Sequence, residues 1–265
     1  MQHRRLRPRR TTTGLTALAA AVLVAVATVH PADALQHSHR RNHHPQALHA
    51  SSQPGLLEMR RTRKTISQNW SGYVATGGNF TSVSGSWTVP PVDCSSTPNG
   101  VAAMWVGIDG AGSKTVEQTG TFSGCDGGSP QYAAWYEAFP ASSVLLSQPV
   151  GPGDTMTATV TNTGPSAFAL VLTNNSRGWT STNNIQVRGR LASAEAIAEA
   201  PSVHGQIVPL ANFGTVGFSN VTANGSPLSA ARQVVPVTMQ SLTGVVKAVP
   251  SGLSGGSFSV SWRHP

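Results

Sequence analysis

A chain of 265 residues, 39% of them hydrophobic, with 27 Gly and 18 Pro, can hold one large or two small globular domains. The formal net charge of +8 would suit a nucleic-acid binder, but it is unevenly placed. Up to Lys64 there are eleven Lys and Arg against two Asp and Glu, and from Thr65 onward seven against eight, so the balanced body of the chain argues against nucleic acid as a partner.

Arg4, Arg5, Arg7, Arg9 and Arg10 form a basic opening, and Leu15 to Val29 is an uncharged apolar run of signal-peptide rather than membrane-spanning length. Ala32-Asp33-Ala34 fits the small-x-small cleavage rule. Residues 1–34 therefore read as a signal peptide, and the mature protein as secreted, extracellular and without stable membrane association. Arg9-Arg10 hints at twin-arginine export, though the Thr residues that follow match poorly. Residues 35–64 carry five His between His37 and His49, many Arg and few bulky apolar side chains, too little to fold alone. They read as a tether or removable pro-segment, with Arg60 to Lys64 a place for processing; metal binding by the His cluster is the alternative.

From Gln68 the texture changes to short alternating runs punctuated by Gly, Pro, Asn and Ser. The pattern predicts strands over residues 70–76, 80–89, 102–108, 115–122, 132–138, 154–161, 167–173, 185–199, 234–239 and 257–262. Residues 191–200 are Ala- and Glu-rich and favour helix on propensity. Their strict alternation and the Pro201 that follows favour a strand, with Glu195, Ile197 and Glu199 on one face. Many short strands with turn signals between them predict an all-β antiparallel sandwich, a single domain over residues 65–265. A monomer is the default expectation for such a secreted chain.

Cys94 and Cys125 lie in turn-rich stretches. In an exported protein they are expected to pair, closing a loop worth about 3 kcal/mol, with two free thiols the alternative. Two cysteines without nearby histidines make no zinc site, so neither metal nor cofactor is expected.

Familiar catalytic signatures are missing or broken. Gly110-Ala-Gly-Ser-Lys114-Thr115 separates Gly from Lys and leads into no helix, so it reads as a turn. Gly252-Leu-Ser254-Gly-Gly256 has no acidic residue after it to complete a triad, and reads as a Gly-rich hairpin. Beyond the pro-segment only His204 and His264 remain, which leaves serine and cysteine chemistry without a well-placed base. No Asp-Thr-Gly or Asp-Ser-Gly string exists for a paired-aspartate protease. Asp126 and Asp154 read as turn formers. Carboxylates and amides are what is left.

Four strings occur in order: Asn69-Trp-Ser-Gly72, Trp105-Val-Gly-Ile-Asp-Gly110 followed by Gln118-Thr-Gly120, Ala134-Trp-Tyr-Glu137, and Ala194-Glu-Ala-Ile-Ala-Glu199 with Pro201. Together they resemble the glutamic peptidases of the eqolisin type over roughly residues 68–260. The resemblance implies two large antiparallel sheets bent like the legume-lectin (concanavalin) sandwich, and a removable pro-segment. It implies a catalytic pair of Gln118 and Glu199, with Trp105, Asp109 and Glu137 in or beside the cleft; Trp135 joins them as a candidate substrate contact. Two positions depart from the family pattern. Ala133 stands where an acidic residue is common, and Ala196 where a bulky one is, the second leaving a gap on the opposite face of its strand.

The chemistry of the residue types agrees. A Glu on a partly apolar strand face has its pKa raised by desolvation, and further by Glu195 if that is close, so it can exchange a proton with water at acid pH. The Gln118 amide can stabilise a developing oxyanion and hold an attacking water without titrating. The expected activity is that of a secreted acid endopeptidase acting on proteins or peptides, its basic pro-segment lying over the acidic cleft at neutral pH. The rival reading is a carbohydrate-active or carbohydrate-binding sandwich, in which Glu137 and Glu199 pair as acid and base and Trp105, Trp135 and Tyr136 stack on sugars. A non-catalytic extracellular binding module is a third.

Overall fold

Short alternating apolar runs broken by Gly, Pro and Asn fold here into strands almost exclusively. The computed structural model describes residues 65–265, which form eighteen strands and one short 3-10 turn, Leu228–Ala230. The first seven strands are β1 (Thr65–Ser67), β2 (Trp70–Thr76), β3 (Ser82–Thr88), β4 (Val101–Asp109), β5 (Val116–Asp126), β6 (Ser129–Phe139) and β7 (Val144–Leu145). Then come β8 (Thr155–Gly164), β9 (Ala167–Asn174), β10 (Trp179–Gln186), β11 (Ser193–Glu199), β12 (Ser202–Val203) and β13 (Gln206–Ile207). The last five are β14 (Thr215–Ala223), β15 (Ser226–Pro227), β16 (Gln233–Gln240), β17 (Val246–Pro250) and β18 (Phe258–Trp262). The signal peptide and pro-segment expected within residues 1–64 lie outside the described residues.

Hydrogen bonding runs unbroken along β10-β9-β8-β3-β14-β18-β17-β16-β2-β11-β4-β5-β6-β7, with β12 and β13 forming a separate hairpin. Every pairing is antiparallel except β1 with β16. The path folds back through β18, β17 and β16, so that β3, β8, β9 and β14 pack face to face on β4, β5 and β11. The expected sandwich is present, its two sheets joined into one continuous ladder.

The main core fills the space between the layers. Val83, Trp87, Met156, Leu170 and Phe218 from one side meet Tyr73, Met104, Val106 and Ala196 from the other. In the ladder Ala196 stands between Tyr73 and Val106. A second cluster lies on the opposite face of β2, β11, β4, β5 and β6: Trp70, Val74, Trp105, Val116, Phe122, Trp135 and Ile197. Strand alternation sends odd and even residues to different clusters, so each of these strands is buried on both faces.

Two motif glycines are there because backbone comes too close for a side chain. A Cβ on Gly120 would sit 2.1 Å from the Met104 carbonyl oxygen, and one on Gly72, which has φ +150, would sit 2.2 Å from that of Ala196.

Residues 185–199, expected as one strand, are two strands with a loop between them. The break has a cause: Leu191 takes φ 57, and the amides of Arg190, Leu191 and Ala192 donate to the Asp109 carboxylate instead of to a neighbouring strand. β14, which the pattern reading missed, carries a register shift between Ser219 and Thr222, with Asn220 at φ 53, which disrupts its alternation. Within residues 191–200, ambiguous on propensity, Ser193–Glu199 form β11 because each side of that strand is paired, with β2 and with β4. Cys94 and Cys125 are bonded, with Cα atoms 5.6 Å apart. Asp154 organises a turn as expected and does more: it accepts from the Gly151 amide and Asn174 and pairs with Arg177.

Candidate active site

β11 sits between β2 and β4, in the middle of the second layer. Its alternation puts Glu195, Ile197 and Glu199 on the face that carries Trp70 and Trp105. Glu199 is fully buried and both its oxygens accept hydrogen bonds. Asn69 Nδ2 donates to Oε1 at 2.9 Å, and Trp105 Nε1 donates to Oε2 at 2.8 Å. Asn69 is itself held: Ser67 Oγ donates to its Oδ1 at 3.1 Å and accepts from the Trp70 amide. Trp70 and Trp105 meet edge to face, with ring centroids 5.1 Å apart, and wall the carboxyl on its apolar side.

Gln118 on β5 stands directly opposite Glu137 on β6, and its Nε2 donates to Glu137 Oε2 at 2.7 Å. The amide is therefore oriented: its nitrogen points at Glu137, and its side chain emerges on the same face as Trp105 and Glu199. Both side chains are fully buried.

Burial pushes the Glu199 pKa well above the usual carboxylate range, the Glu137 charge adds to this, and the Trp105, Trp70 and Asn69 donors only partly offset it. The Trp70 indole contributes although it makes no hydrogen bond of good geometry. Burial likewise pushes Glu137 up to about 9, against the lowering effect of the Gln118 amide. Two strands lie between Glu137 and Glu199, so the sheet must coil strongly to bring these head groups within electrostatic range.

Glu195 does not perturb Glu199. Four residues along a strand is about 13 Å, too far for a strong effect. Glu195 instead belongs to a second acidic group with Glu117 and Asp109. Burial raises it well above the usual range, with both of those charges adding, while Ser193 lowers it. Glu117 is pushed up to about 8 by burial and by the adjacent Asp109.

Asp109, expected in or beside the cleft, spends its carboxylate on backbone. Oδ2 accepts from the Arg190 and Leu191 amides at 2.7 and 2.9 Å, and Oδ1 from Ala192 at 2.8 Å. Its φ of 73 at the end of β4 takes it out of the strand alternation. Trp135 is on the expected face but fully buried, stacked on Phe122 at 4.9 Å. Ala133 stands opposite Phe122 on the same face. Asn69 and Ser67 went unassigned in the sequence reading. The Asn-Trp-Ser-Gly string was the available signal for Asn69, and Ser67, two residues before it, had none.

A buried carboxyl held by two nitrogen donors can shuttle a proton, and a fixed amide beside a second carboxyl can polarise a carbonyl or hold a water. The fold and this face define a β-sandwich hydrolase of the glutamic-peptidase class. The Peptidase A4 family pattern matches residues 68–262, and the chain belongs to that family, as a glutamic endopeptidase of the eqolisin type. Aspergillopepsin-2 from Aspergillus niger is 30% identical over 208 residues, covering 69% of this chain and 74% of its own. Among solved structures, scytalido-glutamic peptidase with a peptide-based transition-state analogue superposes with a TM-score of 0.64 at 26% identity, over 74% of this chain and 98% of that one. SCP-B, an eqolisin peptidase in complex with the tripeptide Ala-Ile-His, superposes at 0.61 with 25% identity and the same two coverages.

Proposed function

We propose that this chain hydrolyses peptide bonds in protein substrates by direct attack of water, with Glu199 and Gln118 as the catalytic pair. In its ionised form Glu199 takes a proton from the attacking water and then returns it to the leaving amine. Gln118 stabilises the oxyanion that forms on the scissile carbonyl. Glu137 positions the Gln118 amide, and Trp105 and Asn69 hold the Glu199 carboxyl. The observation that carries this reading is that an oriented amide and a buried, doubly held carboxyl lie on one sheet face.

Export and action outside the cell fit the signal-like opening and the Cys94–Cys125 bond. No helix among the described residues is long and apolar enough to cross a membrane. Residues 35–64 act as a pro-segment whose basic charge is attracted to the carboxyl-rich face at neutral pH. Peptides are the partners, and a monomer suffices for the chemistry. The carbohydrate reading is less well supported, because Trp105 is committed to Glu199 and Trp135 is stacked on Phe122.

The test is hydrolysis of unfolded protein at acid pH by wild type, Gln118→Ala and Glu199→Gln. Loss of at least about a thousandfold in kcat for each variant, with the fold retained, is the expected result. Full activity in Gln118→Ala, or cleavage of polysaccharide in place of protein, overturns the assignment.

A further inference from the structure

Of the two lysines among the described residues, Lys114 is exposed, whereas Lys247 keeps only 8% of its surface. Folding buries most of this side chain without supplying a counter-charge. The ion pair found among the described residues is Arg177 with Asp154, remote in sequence, and burial alone lowers the Lys247 pKa, with no neighbouring charge contributing. Its backbone carbonyl is engaged, by the Arg263 and His264 amides. The amine is not.

The position of Lys247 gives this a use. The residue lies on β17 where pairing with β16 shifts register between Met239 and Gln240. Met239 pairs with Ala248 and Gln240 with Val246, so Lys247 is the extra residue of a bulge and stands outside the strand's alternation. There it lines a shallow depression with Gln68, Ile207, Ser241, Leu242 and Thr243. Gln68 directly precedes Asn69, which holds Glu199. Ile207 belongs to the β12–β13 hairpin, which opens three residues after Glu199. Both chain segments that carry the catalytic carboxyl and its amide donor therefore continue into the walls of this depression. None of the other five lining residues titrates. Leu242 is 86% exposed and Ile207 39%, large apolar side chains left in water beside a largely buried lysine.

We propose that this depression is a substrate subsite that takes a carboxylate of the bound peptide, the Lys247 ammonium pairing with the charge and Ile207 and Leu242 covering the aliphatic stem. The carboxylate is either an acidic side chain, Glu fitting the apolar flanks better than Asp, or the terminal carboxylate of a short peptide. The subsite deepens the peptidase reading and rests on it. A lysine already largely buried loses less hydration on meeting an anion than one on open surface, which lowers the desolvation cost of the pair.

The experiment uses fluorogenic peptides that differ only by Glu or Gln at one position, scanned along the sequence, and each also made with a free or an amidated C-terminus. They are assayed at about pH 5, where a peptide Glu is largely ionised. The readout is the ratio of kcat/KM within each pair, which does not depend on how much enzyme is folded. Wild type is expected to prefer the acidic member by roughly tenfold or more at one position, as a charged hydrogen bond of this kind supports. Lys247→Met, which keeps the aliphatic stem, is expected to bring that ratio close to one. A preference that follows Glu assigns the side chain as the ligand, and one that follows the free terminus assigns the terminal carboxylate. Equal cleavage of every pair by wild type, or a preference that survives Lys247→Met, overturns the subsite while leaving the peptidase intact. Cleavage of no peptide overturns both.

Discussion

Trp105 and Glu199 are diagonal, not facing, neighbours on adjacent strands, yet the indole Nε1 of the first donates a 2.8 Å hydrogen bond to Oε2 of the second. The register pairs Trp105 with Ile197 and Glu199 with Ala103, so the long tryptophan side chain spans the two-residue offset. It thereby fixes one carboxyl oxygen and leaves the other to Asn69.

Trp105→Phe removes this donor while keeping an aromatic ring against Trp70. The donor lowers the Glu199 pKa, so its loss raises it further. A base that must be ionised to work then switches on at higher pH. The acidic limb of the kcat/KM profile is expected to move upward, with kcat falling roughly ten- to a hundredfold. A pH-rate profile on one peptide checks this, and an unmoved acidic limb means that Glu199 is not the group that titrates.

Four buried carboxyls, Glu117, Glu137, Glu195 and Glu199, all have raised pKa values. Between the unfolded value near 4.5 and the folded values, the native state binds more protons than the unfolded one, so stability falls as pH rises. The melting temperature is expected to be highest below about pH 5 and to drop steadily toward pH 8. Glu117 isolates one contribution, because neither of its oxygens has a hydrogen-bond partner of good geometry. With its folded value at about 8, it costs on the order of 3 kcal/mol at pH 7 and nothing at pH 4. Glu117→Gln is therefore expected to raise the melting temperature at pH 7 and leave it almost unchanged at pH 4.

Gly120→Ala forces a methyl to within 2.1 Å of the Met104 oxygen and 2.7 Å of the Trp105 Cβ. Those atoms belong to the strand that carries the Glu199 donor, so the expected loss of about 3 kcal/mol or more in stability comes with loss of activity. Gly217→Ala is the matched control, since a Cβ there meets open space. Urea melts of the two variants decide the point.

Cys94→Ser opens a 31-residue loop and is expected to cost about 3 kcal/mol. The folded fraction should keep its kcat, because the bond closes the far end of β5 from Gln118. Thermal melts with and without reductant, alongside activity per folded molecule, provide the measurement.

The strand class and most strand positions were legible because alternation is a local signal: β2 was predicted to the residue, and β4, β8, β9 and β16 to within a few. The break before β11 was not, since it depends on Asp109 capturing amides from residues 190–192, some eighty positions away. The same reach explains Asp109 itself, whose place in the motif gave no hint of a positive φ. Gln118, Glu137 and Glu199 could be picked out by type and motif. Which carboxyl perturbs which could not, because that depends on sheet coiling: Glu195 looked the natural neighbour of Glu199, and Glu137 holds that position.

β2, almost the first strand of the described chain, is hydrogen-bonded on one edge to β11 and on the other to β16. Asn69, just ahead of it, therefore cannot meet Glu199 until the chain has been made as far as β11 and that strand laid alongside β2. Closing such distant partners is slow, and a chain that stops short of Glu199 cannot form this contact. If this face is the working one, a chain cut before Glu199 is inert toward the proteins around it, and that safeguard comes from topology.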